Sequence, residues 1–286
     1  MTLMPSIASS QNLAKLRLDI QQALDSVQGT FAVAFKPLDG NDGLMINEKA
    51  MFHAASTMKT PVMIEVFRQA GEGRFSLDDS LDVRNEFKSI VDGSPFKLDL
   101  GDDSDDSMYK RIGGKASVRE LIHQMITVSS NLATNILMQL VTADKVTATM
   151  RTLGARDIEV LRGVEDGKAF EKGVNNRTSA FDLAMIFEAI ADGRAVSRSA
   201  SSAMVDVLLA QEFRDIIPAL LPSEVKVAHK TGSITGVEHD TGIVFLPDGR
   251  RYVLVLLSKD LKDASTGKQT LAGVSKRIYD FMMGSK

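Results

Sequence analysis

Three short motifs, met in order along the chain, bring together residue types able to do acyl chemistry. They are Ser56-Thr57-Met58-Lys59, Ser129-Ser130-Asn131 and Lys230-Thr231-Gly232. Ser-x-x-Lys by itself carries little, since it also begins at Ser94, Ser107, Ser223 and Ser265. Only Ser56 opens an apolar helical run, Pro61-Val62-Met63-Ile64-Glu65-Val66-Phe67. Only Ser56 is then followed, at domain-scale spacing, by a Ser-x-Asn turn and by the chain's one Lys-Thr-Gly. A serine hydroxyl becomes a nucleophile at neutral pH when a base takes its proton. On a helix, Lys59 projects from the same face as Ser56. A lysine can act as that base if its pKa falls, and burial, a helix N-terminus and a second cation such as Lys230 all lower it. The trio thus offers a nucleophile, proton acceptors and an anion clamp, the parts of an acyl-transfer site. The plain alternative for each motif is a helix cap with a surface lysine, a polar turn, and a strand end. These alternatives lose weight once the three stand in order.

Elements able to hold the trio can be read from periodicity. Leu13, Leu16, Ile20, Leu24 and Val27 recur at helical spacing and predict an amphipathic helix over about 10–28, stopped by Gly29. Phe31–Phe35 and Leu44–Ile46 read as strands around a turn from Pro37 to Gly43. A long, mainly helical stretch is expected from about Ser56 to Leu209, with helices Val118–Val128 and Leu132–Val141 flanking the Ser129–Asn131 turn and another at Phe181–Ile190. Pro61 removes a backbone donor and should make the first turns after Ser56 irregular. Val225, Val227 and His229 alternate with Lys226, Ala228 and Lys230 as in a strand. Thr241–Leu246 and Tyr252–Leu257 are strands joined by the turn Pro247-Asp248-Gly249-Arg250. A last helix runs from about Thr266 to Met283. Strands at both ends and helices between give an α/β fold of the α+β type. An antiparallel sheet is flanked by the N- and C-terminal helices and by a mainly helical inserted domain. The expected division is 1–55 with 210–286 as the sheet domain and 56–209 as the helical one, with the site in the cleft between them.

Composition narrows the function. The 286 residues suffice for an ample core without staples, and the chain has no cysteine, hence no disulfide, thiolate catalysis or thiolate metal site. A net charge of −3, three Tyr and no Trp argue against a nucleic-acid partner. No apolar run reaches the ~20 residues of a membrane span. The start, Met1-Thr2-Leu3-Met4-Pro5-Ser6-Ile7, lacks the basic and apolar regions of a signal peptide. The chain is therefore expected to be cytoplasmic, or a periplasmic or secreted form with its leader removed. Asp99-Leu100-Gly101-Asp102-Asp103-Ser104-Asp105-Asp106 lacks EF-hand spacing and reads as a solvated loop. His53, His123, His229 and His239 show no metal-binding spacing, so no metal and no cofactor is expected.

With these motifs, almost the whole chain resembles the serine β-lactamase and penicillin-binding protein superfamily, most closely the class A β-lactamases. The resemblance implies that Ser56 is acylated and that Lys59 assists it. Ser129 passes a proton to the leaving nitrogen, and Asn131 orients the lysine and the substrate amide. Ser130 stands where aspartate is usual. Lys230 and Thr231 are implied to bind the substrate carboxylate. Gly232 allows close backbone approach, and the amides of Ser233 and Ser56 form the oxyanion hole. Thr235 is a further hydroxyl for the carboxylate or side chain. The family's deacylating glutamate finds its best candidate in Glu165 and its second in Glu171. The asparagine expected four residues after it is Ala169, so Asn175 or Asn176 is expected to substitute if the loop folds back. The implied substrate is a small-molecule β-lactam. The alternatives are a DD-peptidase or esterase acting on a peptidoglycan-like peptide or a small acyl compound with slow deacylation, and a non-catalytic β-lactam sensor.

Overall fold

The computed structural model describes residues 7–40 and 42–284. Met1 to Ser6, read above for a leader, lie outside them. Five strands form one antiparallel sheet in the order Leu44–Ile46, Thr30–Pro37, Arg251–Lys259, Val237–Phe245, Lys226–Ile234. The two ends of the chain meet at its centre, where Thr30–Pro37 pairs along its whole length with Arg251–Lys259. The turn through Asp248 and Gly249 joins the last two long strands, with Gly249 at φ +88°, a region open to glycine.

Pleating sends alternate side chains to opposite faces, and both faces of this sheet are covered. Phe31, Val33, Phe35, Leu254 and Leu256 pack with Leu16, Ile20 and Leu24 of helix Ile7–Asp25 and with Leu271, Val274 and Ile278 of helix Ala264–Gly284. Ala32, Ala34, Val253, Val255 and Leu257 belong to a second core with Val62, Ile64, Leu137, Leu183 and Phe187 of the helices between the strands. A sheet dry on both sides explains why its strands read as apolar runs rather than as strict alternation. Around the catalytic candidates this matters directly. In Lys226–Ile234 the residues Val227 to Lys230 are all buried, polar and apolar alike. Among the described residues no helix is long and apolar enough to cross a membrane.

Two expectations need correction. The first helix ends at Asp25 rather than near Gly29. The hydroxyl of Ser26 donates to Ala23 O at 2.7 Å and closes the helix early, leaving Val27 in the connection. The stretch from Ser56 to Leu209 is also less helical than its composition suggests. Between helices Lys59–Gly71 and Val118–Thr127 the described elements are short strand pairs and single 3-10 turns. Two of these pairs are Ser80–Asp82 with Lys115–Ser117 and Phe87–Lys88 with Pro95–Phe96. Their strands are two or three residues long, below the length at which periodicity is legible.

The sheet also holds a close backbone approach. Gly242 lies opposite His229 and Leu254, and a Cβ there would fall 2.5 Å from Ala228 O and 2.6 Å from His229 Cβ. Gly242→Ala should therefore lower stability by about 1–3 kcal/mol through overpacking. The measurement is a urea melt, with a lower midpoint at unchanged slope. An unmoved midpoint would show that the strand pair yields without cost.

Candidate active site

Ser56 lies in the 3-10 turn Ala55–Met58, which runs directly into helix Lys59–Gly71. The residue before it, Ala55, has φ +44°, an uncommon conformation for a residue with a side chain. The turn is braced from within, since the hydroxyl and the amide of Thr57 both bond to Ala54 O, at 2.5 and 3.0 Å. Pro61 sits third in the helix, and its missing N–H falls where the 3-10 turn passes into the α-helix, in keeping with the irregular first turns expected after Ser56. Ser56 itself stays half-buried while Thr57 to Pro61 are fully packed, so access from outside is left to the serine.

Lys59, one turn on, is completely buried. Its Nζ donates to Ser129 O at 2.5 Å, Asn131 Oδ1 at 2.8 Å and Ser129 Oγ at 3.1 Å. Burial pulls its pKa down to about 7, against the opposing pull of the Asp103 and Glu165 carboxylates. Lys230 enters from the strand Lys226–Ile234, also completely buried, and donates to Ser129 Oγ at 3.0 Å and Thr231 O at 3.0 Å. Burial, and next the charge of Lys59, hold its pKa well below the usual lysine range. Ser129 thus sits between two buried amines. It occupies the left-handed region at φ +61°, in the turn joining helices Val118–Thr127 and Asn131–Val141. Ser130, where the resemblance expects aspartate, caps the second of these helices by accepting Ala133 N–H at 3.3 Å.

Gly232 is the point of contact between the strand and the nucleophile turn. A Cβ on it would lie 3.1 Å from both Ser56 N and Thr57 N and 3.2 Å from Ala55 Cβ. Any larger residue would push the strand away from the Ser56 amide. Thr231 is half-buried beside it, and Ser233 and Thr235 are exposed at the open end. The Ser233 hydroxyl donates to Glu238 Oε1 at 3.0 Å.

The deacylation candidates separate cleanly. Glu165 accepts Asn131 Nδ2 at 2.7 Å on one oxygen and Asp99 N–H at 3.2 Å on the other. Burial, with Asp103 and Asp102 adding to it, raises its pKa against those two hydrogen bonds. It too is in the left-handed region, at φ +60°. Glu171 is exposed on the short helix Gly167–Glu171, and no contact joins it to the lysines. The loop does fold back, but neither asparagine serves Glu165. Asn176 Oδ1 accepts the amides of Leu161 and Arg162 at 2.8 and 3.1 Å, and Asn175 Oδ1 accepts Arg162 Nη2 at 2.8 Å. They close the neck of the loop, and Ala169 is buried within it.

Two residues of the site escaped sequence reasoning. Asn135 is buried in helix Asn131–Val141 and grips Val164, accepting its N–H at 2.7 Å and donating to its O at 3.0 Å. Gly163 makes room, because a Cβ there would lie 2.2 Å from Asn135 Oδ1. An asparagine inside the apolar run Leu132–Val141 was the available signal. The other is Asp103. The acidic segment is not simply solvated: Asp103 turns inward and accepts the N–H of Asn131 on both oxygens and that of Leu132, all at 2.9 Å. It thus caps the helix that carries Asn131, where a carboxylate complements the helix dipole.

Chemically, three acceptors around Lys59 Nζ suit an ammonium. Ser129 O and Asn131 Oδ1 can only accept, so a neutral amine spends its two N–H groups on them. Its lone pair is then left for a hydroxyl proton. A lysine base works in its neutral form, so if Lys59 is the acylation base, acylation should rise with pH through about 7 as Lys59 loses its proton. Asp103 opposes that loss. In Asp103→Asn the one remaining oxygen can stand where Oδ2 accepts both the Asn131 and the Leu132 amides, and the charge is gone. The acid limb of the acylation rate, followed by stopped-flow, should then move to lower pH with the urea midpoint nearly unchanged. A limb that stays in place would separate Asp103 from the lysine.

A family model described as the beta-lactamase enzyme family matches residues 15–282. The extended-spectrum beta-lactamase PER-1 of Pseudomonas aeruginosa is 24% identical, with 98% of this chain and 92% of that protein covered. Among solved structures, a beta-lactamase from Sphaerobacter thermophilus superposes with TM-score 0.78 at 25% identity, covering 94% of this chain and 98% of that one. A mutant of the protein PBP-A, solved as an acyl-enzyme complex with penicillin G, superposes with TM-score 0.81 at 27% identity, covering 95% and 97%. From the match across almost its whole length, the chain belongs to the beta-lactamase enzyme family.

Proposed function

We propose that the protein hydrolyses β-lactams through an acyl-enzyme on Ser56, in the manner of class A serine β-lactamases. One observation carries this reading. An unbroken hydrogen-bonded chain runs Lys230, Ser129, Lys59, Asn131, Glu165 beside the nucleophile turn, with no link longer than 3.1 Å. Such a chain sets a base for each half of a covalent reaction beside the nucleophile: protons can pass between Ser129 and the two lysines, while the Asn131 amide orients Lys59 and Glu165 without carrying a proton itself.

In the first half, neutral Lys59 takes the Ser56 proton as Oγ bonds to the lactam carbonyl carbon. The oxyanion that forms is stabilised by the amides of Ser56 and Ser233. The C–N bond breaks, and Ser129 hands its hydroxyl proton to the departing nitrogen while the amines beside it resupply that proton. Lys230, with Thr231 and Thr235, receives the substrate carboxylate. An anion arriving there favours the charged form of Lys230 that burial disfavours. In the second half, Glu165 takes a proton from water, which attacks the ester. The acid forms, and the proton returns to Ser56 Oγ. The upward pKa shift of Glu165 moves it toward the range of a working base. A periplasmic or secreted place of action goes with this proposal.

A second reading rests on Ala169. With a buried methyl group where the family resemblance expects an amide, the hydrolytic water has one side-chain partner fewer. Slow release, as in a penicillin-binding DD-peptidase, would follow if Asn131 and Glu165 alone hold the water poorly. The same measurements separate the two readings, because the unmodified protein would then itself accumulate the adduct.

Ser56→Ala should show no mass adduct after exposure to penicillin while keeping its urea midpoint. A full-strength adduct on that variant removes Ser56 as the nucleophile. Glu165→Gln keeps an acceptor for the Asn131 amide but cannot take a proton from water. It should release one product per enzyme in a burst and then stall, with the adduct visible by intact mass. Turnover at the parent rate would reduce Glu165 to a loop carboxylate and move the test to Glu171.

A further inference from the structure

His53 takes no part in the chemistry above, yet it lies three residues before the nucleophile and is held on several sides. Phe52–His53 forms a short strand pair with Arg177–Thr178, at the neck of the loop that carries Glu165. The His53 carbonyl accepts His239 Nε2 at 2.9 Å, so His239 carries its proton on Nε2. The His53 ring points back into the nucleophile turn, where Nδ1 receives the N–H of Ala55 at 3.0 Å. Ala55 is the residue at φ +44°. A non-glycine residue in that region is strained and persists only when its surroundings hold it there. The bond to His53 is the side-chain restraint on the amide of that strained residue. Next door, Ala54 N–H bonds to Asn176 O at 2.8 Å, tying the turn to the same loop neck.

We propose that His53 is a positioning residue for acylation: its neutral Nδ1, by accepting the Ala55 N–H, holds the left-handed turn that presents Ser56. The inference rests on the reading of Ser56 as the acylated serine. Accepting at Nδ1 fixes the neutral tautomer, with the proton on Nε2. A second proton would put an N–H at Nδ1 facing the Ala55 N–H, and two donors cannot bond. The surroundings oppose that proton. Burial first, and then the positive charge of Arg162, keep the ring's pKa below the usual histidine value, while the Asn175 side chain favours the proton. His239, packed against the strand, is itself held neutral by burial, its pKa lowered to about 4. The charge of Arg162, locked by its bonds to Val174 O, Gly163 O and Asn175 Oδ1, thereby protects the nucleophile turn as well as the loop.

The test uses the full chain, a chromogenic cephalosporin and stopped-flow acylation, with a urea midpoint for each variant. The side chain of asparagine carries its oxygen near the position of Nδ1, so His53→Asn keeps an acceptor that does not titrate. His53→Gln moves that acceptor one bond outward, and His53→Phe removes it while keeping a ring. Acylation by His53→Asn should stay within about threefold of the parent, while Gln and Phe lose ~10- to 100-fold, the scale of a misplaced reacting group. The loss should fall on the acylation rate rather than on KM. Below the Lys59 limb the parent should fall as two protons bind, and His53→Asn as one. Parent-rate acylation in His53→Phe would overturn the inference. So would equal losses in the Asn and Phe variants, which would mark ring packing rather than the acceptor. Should His53→Phe fail to fold, His53→Gln at the parent urea midpoint decides by the same criterion. If the parent forms no adduct on Ser56, the reading beneath this inference falls and takes it along.

Discussion

Two amines buried against one hydroxyl are the constraint on which this structure turns. Lys59 and Lys230 are both fully enclosed and both bond to Ser129 Oγ. A buried ammonium is costly unless hydrogen-bonded and balanced by charge. The surroundings meet that demand in a graded way. Lys59 finds three oxygen acceptors and two carboxylates within electrostatic reach, Asp103 and Glu165. Lys230 has two acceptors and the buried Asp240, and it also feels Lys59. Two neighbouring charges of the same sign cannot both persist cheaply there, so the site favours at least one neutral amine. That is the condition a lysine base requires.

Three of the chain's positive-φ residues other than glycine, among those described, stand around these amines. Ala55, Ser129 and Glu165 all have positive φ, and each belongs to a separate segment bearing one participant. Each conformation costs about 1–3 kcal/mol, and each is restrained by neighbours that do no chemistry. His53 accepts from Ala55, helix Val118–Thr127 receives the Ser130 amide at Gln124 O, and Asn135 clamps Val164 beside Glu165. Supporting groups of this kind turn three loops into one rigid constellation on the rim of the sheet.

The long, periodic elements were legible in the sequence because burial on both sides of the sheet wrote apolar runs into it. Helices Val118–Thr127, Asn131–Val141 and Ala180–Ala191 fall within a residue or two of their reading, since clear turn residues flank them. The trio was legible because Ser56 and Lys59 head one such helix, Ser129–Asn131 joins two others, and Lys230 falls within an alternating strand. What stayed hidden depends on contacts between segments far apart in the chain. Asp103 looks like one more acid in an acidic loop, and only folding brings it to the amides of Asn131 and Leu132. Asn175 and Asn176 looked like substitutes for a missing amide and proved to be the loop's own staples. Alternation found the strand Lys226–Ile234, but it would leave Lys230 to solvent with Lys226 and Ala228, whereas a sheet covered on both faces buries Lys230 completely.

Asn131 carries more than its short side chain suggests. Its oxygen accepts Lys59 and its nitrogen donates to Glu165, so one planar amide joins the two groups proposed as bases. Its backbone N–H is meanwhile held by Asp103. A side-chain amide held at both its oxygen and its nitrogen cannot swing freely toward a water, and Ala169 supplies no second amide in its place. In the proposed reaction the deacylation water then depends more on Glu165 and on the loop that carries it, whose position rests on the clamp of Asn135 on Val164 and on the close approach of Gly163. In the proposed reaction, release of the acyl group therefore depends on how firmly the loop is seated as well as on the residue four places after the glutamate.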